Sequence, residues 1–356
     1  MDESSQAQAA ARFIDPLVEK LRRHPKRVVF TEGEDIRVLR VAERLVKLEA
    51  VVPILLGSRE RIVALAEAEG VSLQFVKVLE PEKSSDFDLF CRRYAKIERY
   101  RKGRDVDAAA LVKLPHYFGA LMVQYGQADA LVGGNQAVPA LLFRALQQAI
   151  KPMPGIQKMF GVTVLSAPHL DHFGGDGLLL LADCGLIPEP SVEELAQIAV
   201  ETGRLAQHFL GRQPQVAFLS HSTKGSSPSD SSKRVAAAVG LAREKVLAPG
   251  LDLMIRGELQ ADVALDPAAA EVKIPDSKVR KSADVLVFPN LDSAHIAMKL
   301  LQHCGGARNY GQFLVGLARP AAQVPRTASE DTIFGTAAAV AVEAIKYHEL
   351  YPDGEV

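Results

Sequence analysis

Short apolar runs alternate with amphipathic stretches along this chain. Val28-Val29-Phe30 precedes a turn, after which Val38, Leu39, Ala42, Leu45 and Val46 recur at helical spacing. Val51 to Leu56 is a second run, closed by Gly57-Ser58, and Ile62, Leu65 and Ala66 repeat the helical pattern. Ala128 to Val132 runs into Gly133-Gly134. Val162 to Ser166, Leu178 to Ala182, Val216 to Ser220 and Val285 to Phe288 have the same character. Runs this short, bounded by Gly, Ser and Pro, read as buried strands. Their alternation with helices predicts an α/β protein with mainly parallel sheets flanked by helices. Ligands of such sheets bind beyond the carboxyl ends of strands. Gly133-Gly134, Ser222 to Ser226 and Asn290 are expected there.

The length, 356 residues, suggests about two domains. Lys151-Pro152-Met153-Pro154-Gly155 reads as one boundary and Gly305-Gly306 to Gly311 as another. If both are crossovers, the last helix returns to the first domain. The expected domains are then residues 1–154 with 312–356, and residues 155–311.

With 48% hydrophobic and 24% charged residues, a sizeable core is expected. A formal net charge of −1 argues against nucleic acid or a membrane surface as the main partner. No apolar run approaches the roughly 18 residues that span a bilayer, and Met1 to Ala10 holds no apolar signal region. Cys91, Cys184 and Cys304 lie far apart without CxxC spacing, so neither a zinc site nor a disulfide framework is indicated. A reducing cytoplasm is the expected setting. Cys91 and Cys184 read as buried, inert thiols before they read as nucleophiles. His169 and His172 flank Asp171, but no further ligand is near, and no metal site is expected.

Phe218-Leu219-Ser220-His221-Ser222-Thr223-Lys224-Gly225-Ser226 concentrates the candidate chemistry. A strand breaks into hydroxyls, a lysine and a glycine, with a helix predicted from about Ser232. Close-approaching backbone N–H groups, the Lys224 charge and a helix N-terminus suit an anion. A plain polar strand-to-helix loop fits the same residues. GxxxxGK[ST], GxGxxG, HExxH and GxSxG are all missing, so any anion site must be assembled from several strand ends.

Three arginine-bearing segments bear on that assembly. Arg144 lies among Leu141, Leu142, Phe143 and Leu146, either on a solvated face or aimed into a cleft. Arg326 precedes Thr327-Ala328-Ser329-Glu330, whose Thr327 and Glu330 have capping-box spacing, so a helix is expected to start there. A cation beside a helix N-terminus suggests an anion, or a surface pairing with Glu330. In Glu98 to Arg104 the basic cluster reads as a solvated face, with Arg101 as the anion-reaching alternative. Among carboxylates, Asp331, Glu258, Asp262 and Asp183 are candidates. Asp331 would sit in a first helical turn, stabilised by the dipole or serving as a general base.

Taken together, these segments resemble the phosphate acetyltransferase family within the phosphate acyltransferases. The resemblance runs from about Val28 to Ala344. Thr31-Glu32-Gly33-Glu34-Asp35-Ile36-Arg37-Val38-Leu39 is similar to the family's PEGED-x-RVL opening. Tyr117 to Val123 and Ala128 to Gly134 resemble its next block, and Asp176-Gly177 to Gly185 its ADSG-type block with Cys184 for Ser. Leu219 to Ser226 resembles its LSxSTKGS motif, Gly257 to Asp262 its GELQxD, and Phe288-Pro289-Asn290-Leu291 its FPxL.

The resemblance implies two α/β domains like those of isocitrate and isopropylmalate dehydrogenases, with an interdomain active site and a homodimer. It implies reversible acetyl transfer between acetyl phosphate and coenzyme A. CoA is then a substrate, and no cofactor is permanently bound. It assigns Arg326 and Arg144 to catalysis, with Asp331 as the base if the first helical turn is shifted or rotated. Arg101, Ser222, Thr223, Lys224, Gly225, Ser226 and Tyr310 become substrate-binding. A carboxylate takes the thiol proton while arginines and hydroxyls hold the phosphoryl group.

Departures fall near this chemistry. Pro325 stands for the family's serine before the arginine. Thr332 aligns with its catalytic aspartate, with Asp331 one residue early, a rotation of about 100°. Ala137 stands for the histidine of its SGxxHT loop, Leu141-Leu142 for Asp-Thr, Gln312 for a proline and Arg256 for an aspartate. They keep open transfer of a propionyl or butyryl group, and a catalytically impaired homologue that binds CoA or an acyl phosphate.

Overall fold

The computed structural model describes residues 3–102, 106–167, 174, 177–247, 250–275 and 281–345. His169, Asp171, His172 and Asp176 lie outside the described residues. In chain order the strands are β1 (Lys26–Phe30), β2 (Val51–Leu56), β3 (Lys77–Leu79), β4 (Ala130–Gly133), β5 (Phe160–Ser166), β6 (Leu178–Ala182), β7 (Gln215–Leu219), β8 (Met254–Leu259), β9 (Val285–Val287), β10 (Arg308–Val315) and β11 (Ala321–Gln323).

Two compact units are present. The first comprises Ile14–Gly155 with Gly316–Val356, the second Met1–Phe13 with Ile156–Val315. In the first the order is β3-β2-β1-β4-β11, with every neighbouring pair parallel. The order in the second is β10-β5-β6-β9-β7-β8. There β10/β5 and β5/β6 are antiparallel, and the remaining pairs are parallel. The connection from β5 to β6 is too short for a crossover helix, so that pair must run antiparallel. The α/β class expected from the alternation is present, with an antiparallel element the pattern does not announce.

Every residue of β4 and β5 is buried, as strands covered on both faces must be. The helix Ile36–Lys47 buries Val38, Leu39, Val41, Ala42 and Leu45. Each of the Val and Leu side chains stabilises the fold by about 1.5–3 kcal/mol over its exposed state. Asp35 starts this helix by accepting from the Arg37 N–H. The helix expected from Ser232 begins at Asp230, with Ser229 and Ser232 forming a capping box. The helix Glu330–Ile345 packs against β1, β4, β11 and the helix Ile36–Lys47. That packing anchors the far end of the short turn that leaves β11.

Candidate active site

In the first unit the loops after β1, β4 and β11 are tied together by three charged side chains. Glu32 follows β1 and is buried. Its Oε2 accepts from the N–H groups of Gly134 (2.7 Å) and Asn135 (2.8 Å). Its Oε1 accepts from Ala137 N–H (2.8 Å) and faces His116 Nε2 at 3.2 Å. Burial alone would raise this carboxyl, but the His116 hydrogen bond and the Ala137 and Gly134 N–H groups outweigh it and hold it below the usual range. The loop after β4 thus presents converging N–H groups, and an internal carboxylate fills them.

Arg37 is the second tie. Its Nε and Nη2 donate to Asp35 (3.1 and 2.6 Å), and Nη2 also to the Asn135 carbonyl (3.0 Å). Its Nη1 donates to the carbonyls of Arg326 (2.9 Å) and Ala328 (2.7 Å). Asn135 Nδ2 donates to Asp35, the third tie, at 2.8 Å. Arg326 itself is exposed, in a turn closed by Ala328 N–H to Pro325 O (2.9 Å).

The helix start expected at Thr327 is displaced. The first helical residue is Glu330, and Ser329 Oγ accepts from Thr332 N–H at 3.2 Å. Arg37 takes the Ala328 carbonyl, which an earlier helix would have used internally. Arg326 therefore lies before the helix rather than beside its first amides. Asp331 is in the first turn, with Oδ1 2.9 Å from Arg44 Nη1, and Arg44 stacks over the Phe334 ring at 3.9 Å. Glu330 pairs with Arg40 at 3.0 Å, not with Arg326.

Arg144 is exposed on the helix Pro139–Ala149, close enough to the Tyr117 hydroxyl to oppose the upward push of burial on that phenol. Arg101 donates to the carbonyls of Gln147 (2.7 Å), Gln148 (3.1 Å) and Ile150 (3.2 Å). Its guanidinium closes the end of Arg144's helix, where a cation also complements the dipole. The Tyr94 and Tyr117 hydroxyls both donate to Gln148 Oε1, at 3.1 and 2.5 Å.

In the second unit, Ser222 to Ser226 wraps a carboxylate of its own. Glu258, at the end of β8, accepts at Oε1 from Ser222 Oγ (3.1 Å) and Gly225 N–H (2.6 Å). Its carbonyl accepts from Lys224 N–H at 3.1 Å. Thr223 N–H goes to Ser226 Oγ (3.0 Å), and Ser226 N–H to Thr223 O (3.1 Å). Lys224 has φ 50, a left-handed conformation that costs a non-glycine residue energy. Its Nζ reaches Gly257 O at 2.5 Å, and burial, with Arg243 adding to it, lowers its pKa. Lys224 and Ser226 remain exposed as residues.

Tyr310, by contrast, is buried in β10 and packs on Phe13 with ring centroids 5.1 Å apart. A register shift follows it, and the next-but-one residue, Gln312, donates to Cys184 O at 2.8 Å. Asp183 accepts from the N–H groups of Gly161, Gly185, Leu186 and Ile187. Cys184 is fully buried, which pushes its thiol up and away from nucleophile chemistry. Asp262 pairs with Lys273 at 2.6 Å, and Asn290 caps the helix Leu291–His303 through Ser293 N–H. Among the described residues no group of three or more His, Cys, Asp or Glu could hold a metal ion, and no helix is long and apolar enough to cross a membrane.

Sequence reasoning missed Glu32, His116, Arg37 and Asn135 as parts of the site. Glu32 and Arg37 stand within the opening motif, but apart from Asp35 their partners lie between 84 and 291 positions away. Glu258 is a candidate in the sequence, without the loop it fills.

Residues 12–341 match the phosphate acetyl/butaryl transferase family, and the chain belongs to it. It is 35% identical over 336 residues to a phosphate acetyltransferase of Acetivibrio thermocellus, covering 93% of this chain and 98% of that one. A phosphotransacetylase structure from Staphylococcus aureus superposes with TM-score 0.84 at 33% identity, covering 94% of this chain and 99% of that one. One from Streptococcus pyogenes gives TM-score 0.84 at 34% identity, with 94% and 98% covered. The chain is an enzyme of the acyltransferase class.

Proposed function

We propose that this chain is a phosphate acetyltransferase, moving an acetyl group reversibly between acetyl phosphate and coenzyme A. The full-length likeness to phosphate acetyltransferases carries the reading. The CoA thiol loses its proton to a carboxylate, and the sulfur attacks the acyl carbonyl. The C–O bond to phosphate then breaks, and phosphate leaves with the electron pair. Arg326 and Arg144 hold the phosphoryl oxygens and the charge that grows on them. Lys224 and Ser226 add a cation and a hydroxyl, since the N–H groups beside them are occupied by Glu258 and by the loop itself. Arg101 and Tyr310 act behind this layer, one closing Arg144's helix and the other seating β10. Asp331 is the proton acceptor, with Arg44 fixing its orientation. The expected working form is a cytoplasmic homodimer.

Thioester absorbance, followed with acetyl phosphate and CoA, tests this directly. The chain as it stands should turn over, and Arg326→Ala should lower kcat/KM by roughly a hundredfold or more. Activity that persists undiminished in Asp331→Asn would remove Asp331 as base. Turnover of butyryl phosphate in place of acetyl phosphate would move the reading to a longer acyl group. Pro325, Thr332 and Ala137, standing where the family has a serine, an aspartate and a histidine, favour a second reading, a ligand-binding homologue. CoA binding without turnover of any acyl phosphate would establish it.

A further inference from the structure

The Glu32 carboxylate is saturated, with two donors on each oxygen. Three of them are amides of one loop, those of Gly134, Asn135 and Ala137. The fourth is His116, from a different element, the helix Pro115–Gln124. An ionised carboxylate only accepts, so His116 presents Nε2–H to it. His116 is 6% exposed and Glu32 8%, so water does not substitute readily for either partner. The loop they hold is joined onward. The Asn135 carbonyl accepts from Arg37, and the same guanidinium grips the carbonyls of Arg326 and Ala328. The loop also leads directly into the helix Pro139–Ala149, which carries Arg144.

We propose that His116 is a positioning residue, fixing through Glu32 the loop Gly134–Ala137 and, through that loop, the turn that carries Arg326. This rests on the acyltransferase reading given above for Arg326. His116 touches no reacting atom. It completes the set of donors that holds one carboxylate in one orientation, and that orientation sets the path of the loop. A side chain in this place that donates to Glu32 preserves the arrangement, and an apolar one does not.

His116→Leu and His116→Gln separate this role from mere packing. In His116→Leu, kcat should fall roughly ten- to a hundredfold, as expected when reacting groups are displaced. The KM for CoA should stay within about twofold, because the lost interaction serves the transition state. Amide hydrogen exchange at Gly134, Asn135 and Ala137 should accelerate while the strands keep their protection. His116→Gln, which can still donate, should recover most of both. Wild-type kcat in a folded His116→Leu, or lost kcat with unchanged exchange at those three amides, overturns the proposal. So does a loss that His116→Gln shares in full. If His116→Leu does not fold, Glu32→Gln, facing three N–H groups with half its acceptors, takes its place under the same criteria. Absence of turnover in the unaltered chain refutes the function, and the exchange measurement then still decides whether His116 holds the loop.

Discussion

At Gly133 a side chain has no room. A Cβ there would lie 2.2 Å from Thr31 Oγ1, with Leu142 Cδ1 at 3.4 Å. Both residues are buried, and Thr31 Oγ1 has no hydrogen-bond partner among the described residues. Gly133→Ala should therefore destabilise by about 1–3 kcal/mol, the usual cost of overpacking a filled core. Thr31→Ala removes the obstructing oxygen, so the double variant should be more stable than the sum of the singles predicts. Denaturant melts of the four proteins check this, and strict additivity would refute the contact as the cause. The glycine was legible as a strand-end signal, and its neighbour was not, because Thr31 comes from the loop after β1, remote in sequence. The same holds for the anion cradles. Ser222 to Ser226 could be read as a donor-rich loop, and Gly133-Gly134 as a strand end where ligands bind. That Glu258 and Glu32 already fill them depends on strands adjacent in space and remote in sequence.

The helix Glu330–Ile345 shows how two starts compete within one short stretch. Thr327 with Glu330, and Ser329 with Thr332, both offer a capping side chain three residues before an amide. The second wins because Arg37 claims the Arg326 and Ala328 carbonyls and holds residues 325–328 as a turn. No local propensity contains that information. Ser329→Ala removes the acceptor for Thr332 N–H and should cost about 1 kcal/mol, measured as a lowered denaturation midpoint. Thr327→Ala, with the helix starting at Glu330, should cost far less. Equal losses in the two would return the cap to Thr327. The order matters for chemistry, since it decides how far Asp331 is from the turn that carries Arg326.

Across the molecule, the legible part was the alternation. β1, β2, β4, β5, β6, β7 and β9 coincide with apolar runs visible in the sequence. β3 and β11 are three residues each, and β8 and β10 contain Arg, Glu, Asn and Gln, so hydrophobic pattern alone passes over them. Buried charge, equally invisible to that pattern, shapes the pH response of the whole fold. Glu343 lies inside the last helix, buried, and is pushed up to about 8 by desolvation. Burial raises Asp183 and Glu201 as well. A carboxyl raised in the folded state contributes stability that is complete below its unfolded pKa, about 4.3 for Glu, and is lost as pH rises through the folded value. Glu32, Asp35 and Asp129 act in the opposite sense. Against burial, hydrogen bonds from His116, Arg37 and Arg27 respectively hold them below their usual range. Their contribution is present above about pH 4 and fades as pH falls through the depressed values. Stability should therefore peak on the acid side of neutrality and decline toward pH 8. Glu343→Gln keeps the shape and removes the ionisation. It should flatten the alkaline limb by an amount on the order of a few kcal/mol, leaving the acid limb in place. Thermal unfolding scans of both proteins between about pH 3.5 and 8.5 decide it. Parallel curves across that range would mean that Glu343 is solvated or paired in the folded chain, and the decline toward pH 8 would then need another source.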